Sequence, residues 1–300
     1  MCFFSMGGNA HNTSETQVQR IAVAGGSITE IIYRLGEQHR IVGVDSTSVF
    51  PEEAKNKPLI GYVRRVATGG ILSLEPDLFL GEADTGPLKV IQQLQRMGLN
   101  MYLFEQQDNL AGIEDKITKI AQLLKVEKKG QALVEEIQPD RLALQHILTQ
   151  ATYQPRVLFI LTARSGQTIA AGQGTSANEI IQAAGGINVT GSLKNWQPIS
   201  AEVALQLNPE VILTMGARGT ANAEKVKNMP HFKHSIAVKN NQVFSLDGGY
   251  LLGMGPRTPQ AVVEVAMIFH SQAKLPEHYS LRYASTNQTP AVIAKQNKGD

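Results

Sequence analysis

A single cysteine, Cys2, in 300 residues excludes an internal disulfide framework and any zinc–cysteine cluster. It also lets the chain work in an oxidising compartment without mispaired thiols. Aromatic side chains are scarce, 6% of the total with one tryptophan, and no run approaches 18 apolar residues, so no membrane-spanning helix is expected. Charge of one sign is missing too. The 28 basic and 26 acidic side chains leave a net +2 and no basic stripe, which speaks against a nucleic-acid partner. No nucleophile–base pair or acidic metal cluster stands at a recognisable spacing, which argues against an enzyme. The opening Met1-Cys-Phe-Phe-Ser-Met-Gly-Gly8 has no positive n-region and is too short for the apolar core of a signal peptide. Either an export signal lies outside this stretch or the protein is cytoplasmic; Cys2 is a candidate lipid acceptor, with no lipobox before it.

What is present is an apolar share of 42%, enough for one large or two ordinary cores at roughly 150 residues each. Residues 1–19 are polar and patternless and read as a mobile leader. Arg20 to Ala24 is a short buried strand that runs into the Gly25-Gly26 turn, and Ser27 and Glu30 have the spacing of a capping box for the helix that follows. Arg40 to Asp45 is the next strand, giving a βαβ unit and a parallel sheet. The glycine turn admits two readings, a phosphate site at a helix N-terminus or a tight strand-to-helix turn; it is neither GxGxxG nor a Walker sequence.

Helical periodicity then recurs over 87–97 and 112–124, separated by a strand over 99–104. From Glu127 to Thr149 runs one long helical pattern, about 35 Å at 1.5 Å per residue, with Pro139 expected to kink it. It is either a rigid connector between two lobes or a surface helix capping one. Arg156 to Leu161 is a continuous apolar run, as parallel strands covered on both faces show. Helices over 175–184, 200–207 (capped by Ser200) and 258–270 follow, with strands over 210–214 and 242–246.

Ile71-Leu-Ser-Leu-Glu-Pro-Asp-Leu-Phe-Leu80 and Ala204-Leu-Gln-Leu-Asn-Pro-Glu-Val-Ile-Leu213 share one pattern: helix end, polar residue, proline, acid, apolar strand. An internal repeat of this kind predicts two similar lobes. The expected class is α/β, with two similar lobes of parallel-rich sheet around one long helix. The division is a leader 1–19, a first lobe 20–125, the connecting helix 126–151, a second lobe 152–270 and a flexible tail 271–300.

The loop Gly61-Tyr62-Val63-Arg64-Arg65 is not repeated. Guanidinium groups favour a phenolate over a phenol, and tyrosinate is a known axial ligand of haem iron. Tyr62 is therefore either an iron ligand or an ordinary half-buried tyrosine with arginines nearby. Met215, Tyr250, Leu251, Leu252 and Met254 fall on expected loops, where they either wall an apolar pocket or pack at strand ends. His231 and His234 stand three apart, a spacing that ligates zinc when helical and more often marks surface residues.

Four stretches carry a resemblance to a known family: Gly61-Tyr62-Val63-Arg64 with Gly70 to Asp77, Ala170 to Thr175, Ala183 to Asn188, and Leu251-Leu-Gly-Met-Gly-Pro-Arg-Thr258. Over roughly residues 20–270 the chain resembles the periplasmic haem-binding proteins of bacterial haem ABC transporters, relatives of the vitamin B12 and siderophore receptors. The resemblance implies a periplasmic location, two Rossmann-like lobes joined by one long helix with the ligand cleft between them, and ferric protoporphyrin haem bound in that cleft through Tyr62, with Arg64 supporting the phenolate. It implies as partners the membrane permease of a haem ABC importer and an outer-membrane haem uptake system as donor. Where some members carry a second-lobe histidine, this chain has Thr162-Ala-Arg-Ser165, so Arg164 or Arg218 is expected at the haem edge, a propionate or the tyrosinate. The docking acid of the second lobe falls on Glu202. Its first-lobe counterpart falls on Gly69, with Glu75 or Glu82 as substitutes. Receptors for another metal complex, siderophore or cobalamin, and for a bare metal ion are the alternatives, followed by a nucleotide-using α/β enzyme built on the Gly25-Gly26 turn.

Overall fold

Alternate residues of the first strand, β1 (Ile21–Ala24), feed two separate cores, because successive side chains point to opposite faces of a sheet. Ile21 and Val23 pack on one face and Ala22 and Ala24 on the other. The structure is a computed structural model that describes residues 18–105, 109–162, 167–216 and 221–283.

In the first lobe β1 leads to α1 (Gly26–Arg34), β2 (Ile41–Val44), the short pair β3 (Gly61–Tyr62) and β4 (Arg65–Val66), α2 (Thr68–Leu72), β5 (Leu78–Gly81), α3 (Leu88–Arg96), β6 (Met101–Leu103) and α4 (Leu110–Leu123). The main sheet has the order β2-β1-β5-β6 and is parallel throughout. The helices α1 and α4 cover the face of Ile21, Val23, Leu78 and Leu80, while Phe79 faces Ile71, Ile91 and Leu94 on the other side.

The long helix α5 (Glu127–Gln150) packs on α4 with one part of its surface and on α11 (Thr258–Phe269) with another, so it joins the lobes rather than capping one. It runs through Pro139, whose ring lies on the exposed side.

The second lobe contains β7 (Arg156–Thr162), β8 (Thr168–Ala171), α6 (Ser176–Ala183), β9 (Ile187–Asn188), β10 (Trp196–Ile199), α7 (Ala201–Leu207), β11 (Val211–Gly216), α8 (Ala221–Lys227), α9 (Ile236–Lys239), β12 (Val243–Asp247) and α10 (Gly248–Leu252) before α11. Its sheet runs β10-β8-β7-β11-β12, with β9 beside β7; β7, β11 and β12 are parallel, and β8 and β10 add an antiparallel edge. The fold is mixed α/β with two parallel-rich sheets, as the pattern predicts.

Two expectations change. Gly25, not Ser27, caps α1, and no side chain caps it. Ser27 Oγ instead donates to Glu82, and Glu30 turns to Arg257 of the second lobe, so tertiary partners take both side chains of the apparent capping box. Residues 271–283 are not a loose tail. Leu275, Tyr279, Leu281 and Tyr283 pack on the second core, Tyr279 Oη donates to Asp140 at 2.8 Å, and Arg282 and Tyr283 reach Asp140 and Arg34. Residues 1–17 and 284–300 lie outside the described residues.

Candidate functional site

Parallel strands leave their C-terminal ends, with the loops that follow, along one edge of the sheet, where open α/β sheets bind ligands. Here those edges of the two lobes meet. Arg257, just after α10, donates to Glu30 of α1 through Nε and Nη2, both at 3.0 Å, and its backbone N–H lies 3.2 Å from Oε1. Its guanidinium lies over the ring of Phe50, 3.5 Å from the centroid, in the loop after β2. Met254 belongs to the first lobe's core although its neighbours in sequence belong to the second. Burial pushes the Glu30 carboxyl above the ordinary carboxylate range, against the opposing pull of Arg257. The ion pair holds because both members are buried and bonded together; removing one would leave an uncompensated charge.

Tyr62 stands on the first-lobe side of this meeting edge. It pairs with Arg65 in the β3–β4 hairpin, which turns through Val63 and Arg64. Gly61 has φ +118°, and a Cβ there would lie 2.5 Å from the Arg65 carbonyl oxygen, so only glycine lets the two short strands close. The hairpin is pinned from several sides: Gly61 O accepts from Ser46 N at 2.8 Å, Val63 O from Gly86 N at 3.0 Å, and Val63 N donates to Asp45 Oδ2 at 3.1 Å. Its backbone is thus fixed while the Tyr62 side of it faces outward, 42% exposed. Arg64 Nε donates to Asp84 Oδ2 at 2.6 Å; that bond raises the arginine's pKa, with a smaller contribution from Tyr62. A fixed backbone carrying an exposed phenol can present an oxygen ligand to a metal complex.

The other candidates divide. Met215, at the end of β11, is 38% exposed at the same edge of the second lobe. Tyr250 is not a pocket wall. Only 3% exposed, its hydroxyl donates to Glu264 Oε1 at 2.5 Å and accepts from Gln260 Nε2 at 2.7 Å, and burial pushes the phenol well above its ordinary pKa. The reason is α10, which begins at Gly248 with an Asp247 cap and turns Tyr250 and Leu251 into the second core where a loop was expected. Met254 is likewise interior, and Leu252 is half buried against that core. Arg164 and Arg218 lie outside the described residues.

Glu202 is exposed in the first turn of α7, where its bond to Ser200 holds its carboxyl below the usual range. Gly69 is also exposed, on α2, with open space where a side chain would stand. Glu75 is exposed at φ 46°, while Glu82 accepts from Lys116 Nζ at 3.0 Å through both oxygens and from Ser27, so its carboxylate is occupied. His231 and His234 lie in a turn rather than a helix; His231 Nε2 is 3.2 Å from Thr168 Oγ1, and burial lowers its pKa. Among the described residues no group of three His, Cys, Asp or Glu side chains gathers to hold an ion. Among them, too, no helix is long and apolar enough to cross a membrane.

Residues 21–250 match the periplasmic binding protein family, and the chain belongs to it. Its class is that of the periplasmic substrate-binding proteins of ABC transporters, a class that works with a membrane permease. Among solved structures, it is similar to the periplasmic haem-binding protein RhuT of Roseiflexus sp. RS-1 in apo form, with 32% identity and a TM-score of 0.79 over 86% of this chain and 100% of that one. It is similar also to the haem-binding protein HutB of Vibrio cholerae, with 30% identity and a TM-score of 0.73 over 83% of this chain and 98% of the other. A vitamin B12-binding protein of Vibrio parahaemolyticus is 26% identical over 257 residues, 85% of this chain and 90% of that protein.

Proposed function

We propose that this protein captures haem at the edge where the lobes meet, through a bond from the Tyr62 phenolate to ferric iron, and delivers it to an inner-membrane ABC importer. The observation that carries the reading is Tyr62 itself: an exposed phenol on a hairpin whose backbone is tied down, with Arg64 at its side. The haem-binding relatives at 30% identity or more add support, since they share the fold over most of both chains. Arg64 would stand beside the coordinating oxygen, and Met215 would offer an apolar contact from the second lobe. Arg164 and Arg218 remain candidates for the haem edge or a propionate, and Glu202 for docking on the permease. An outer-membrane haem uptake system would supply the ligand.

A corrinoid is the second reading, favoured by the B12-binding relative. Titrating the purified protein with hemin and with cyanocobalamin separates the two. The expected result is a one-to-one hemin complex with a high-spin tyrosinate-type spectrum and no response to cyanocobalamin. Cobalamin binding without a hemin response would replace the haem reading.

A further inference from the structure

Asp45 follows β2 and is 1% exposed, yet five donors converge on its carboxylate. Oδ1 accepts from Gly25 N at 2.9 Å, Thr47 Oγ1 at 2.9 Å and Ser48 Oγ at 3.1 Å. Oδ2 accepts from Thr47 N at 2.9 Å and Val63 N at 3.1 Å. A carboxylate offers about four lone-pair sites, so these donors use its accepting capacity fully. The division between the oxygens matters. Oδ1 serves the Gly25 turn and two hydroxyls of the loop after β2, whereas Oδ2 takes that loop's Thr47 N–H and also reaches the residue between Tyr62 and Arg64.

We propose that Asp45 is the positioning residue for Tyr62: its Oδ2 fixes the turn of the β3–β4 hairpin and with it the direction of the phenol. The hairpin is only a pair of two-residue strands and cannot hold its own place. Its other backbone ties include Ser46 N to Gly61 O, Gly86 N to Val63 O and Val66 N to Gly86 O, all to loop segments; Asp45 is a buried side chain that reaches its turn. Because that carboxylate also holds Gly25, the N-cap of α1, the tyrosine is referenced to the helix that carries Glu30 and meets Arg257. The inference rests on Tyr62 as the ligand-binding residue.

The substitution Asp45→Ala removes both oxygens, so the backbone N–H groups of Gly25, Thr47 and Val63 lose their acceptor together with the two hydroxyls. The expected result is hemin affinity about tenfold to hundredfold weaker, the size of a lost bond to a charged group, with the tyrosinate signature weakened. Amides of Tyr62 and Arg65 should exchange faster in the ligand-free protein. Ser48→Ala removes a different bond from the same carboxylate and should leave affinity within about twofold of wild type. Replacing the Val63 backbone amide by an ester that keeps the valine side chain deletes the N–H that Oδ2 accepts from the hairpin, and should reproduce the Asp45→Ala result even if Asp45→Ala fails to fold. Wild-type hemin affinity and spectrum in Asp45→Ala or in the Val63 ester would overturn the proposal, as would a loss in Ser48→Ala equal to that in Asp45→Ala. If the wild-type protein gives no hemin response, the haem reading falls and the exchange rates decide alone: unchanged amides at Tyr62 and Arg65 overturn the positioning role, and faster ones uphold it.

Discussion

The two lobes are built alike where they support a sheet and differ at the edge where they meet each other. In the first, Arg20 N donates to Asp77 Oδ1 at 3.1 Å, and the Arg20 guanidinium caps the carbonyls of Leu74 and Glu75. In the second, Arg156 N donates to Glu210 Oε2 at 2.8 Å, and its guanidinium reaches Leu207 O at 2.9 Å. The residue before each proline is left-handed, Glu75 at φ 46° and Asn208 at φ 35°. Strands β1, β5 and β6 thus correspond to β7, β11 and β12. The Tyr62 hairpin interrupts the first lobe alone, and the antiparallel β8 and β10 extend the second alone. The repeat is scaffold, and the unrepeated hairpin is where a ligand would be chosen.

That contrast can be broken most sharply at the hairpin. Tyr62→Ala should weaken hemin binding by about a hundredfold or more, near 2.7 kcal/mol, while Tyr250→Phe should leave it within about twofold because that phenol is interior. Equal losses in titrations of the two variants would remove Tyr62 from the ligand role.

The scaffold half of the comparison predicts symmetry. Asp77→Ala and Glu210→Ala each remove a carboxylate that receives the N–H entering the first strand of its lobe, and each should cost about 1–2 kcal/mol in denaturant unfolding. A loss in one lobe only would show that the two acids do not do the same work.

A smaller effect distinguishes the second lobe. His270 is buried, its Nε2 lies 3.0 Å from Ala184 O, and burial lowers its pKa below 6.5. The unfolded chain therefore binds the proton more readily. The stability contribution of the neutral ring is present above about pH 6.5 and falls as pH drops through the folded value. His270→Gln should flatten the fall in stability between about pH 7 and pH 5; an unchanged slope in thermal melts would assign it to other groups. Smallest on the isolated protein is Glu202→Ala, expected to leave hemin affinity and stability unchanged and to lower uptake through the permease; unchanged uptake would take Glu202 out of docking.

Much of the scaffold was legible because its signals are local. Apolar runs mark β1, β5, β7 and β11, and the Leu-x-Pro-acid repeat marks both lobes. What was not legible depends on partners distant in sequence. Ser27 and Glu30 have capping-box spacing, but Glu82 and Arg257 take them. Residues 271–283 lack periodicity, yet Tyr279, Arg282 and Tyr283 find Asp140 and Arg34. Tyr250 reads as a loop residue because α10 is only five residues long and rests on one aspartate cap. Tyr62 and Arg64 stood out as an unrepeated cluster, whereas Asp45 did not, since nothing in Val-Asp-Ser shows that five donors will meet there.

The visible and resonance Raman spectra of the hemin complex, wild type beside Tyr62→Phe, test the central claim most directly. An iron–phenolate signature in the wild type that vanishes in Tyr62→Phe is the predicted result. A signature that survives the substitution, or is missing from the wild type, would contradict the assignment of Tyr62 as the iron ligand.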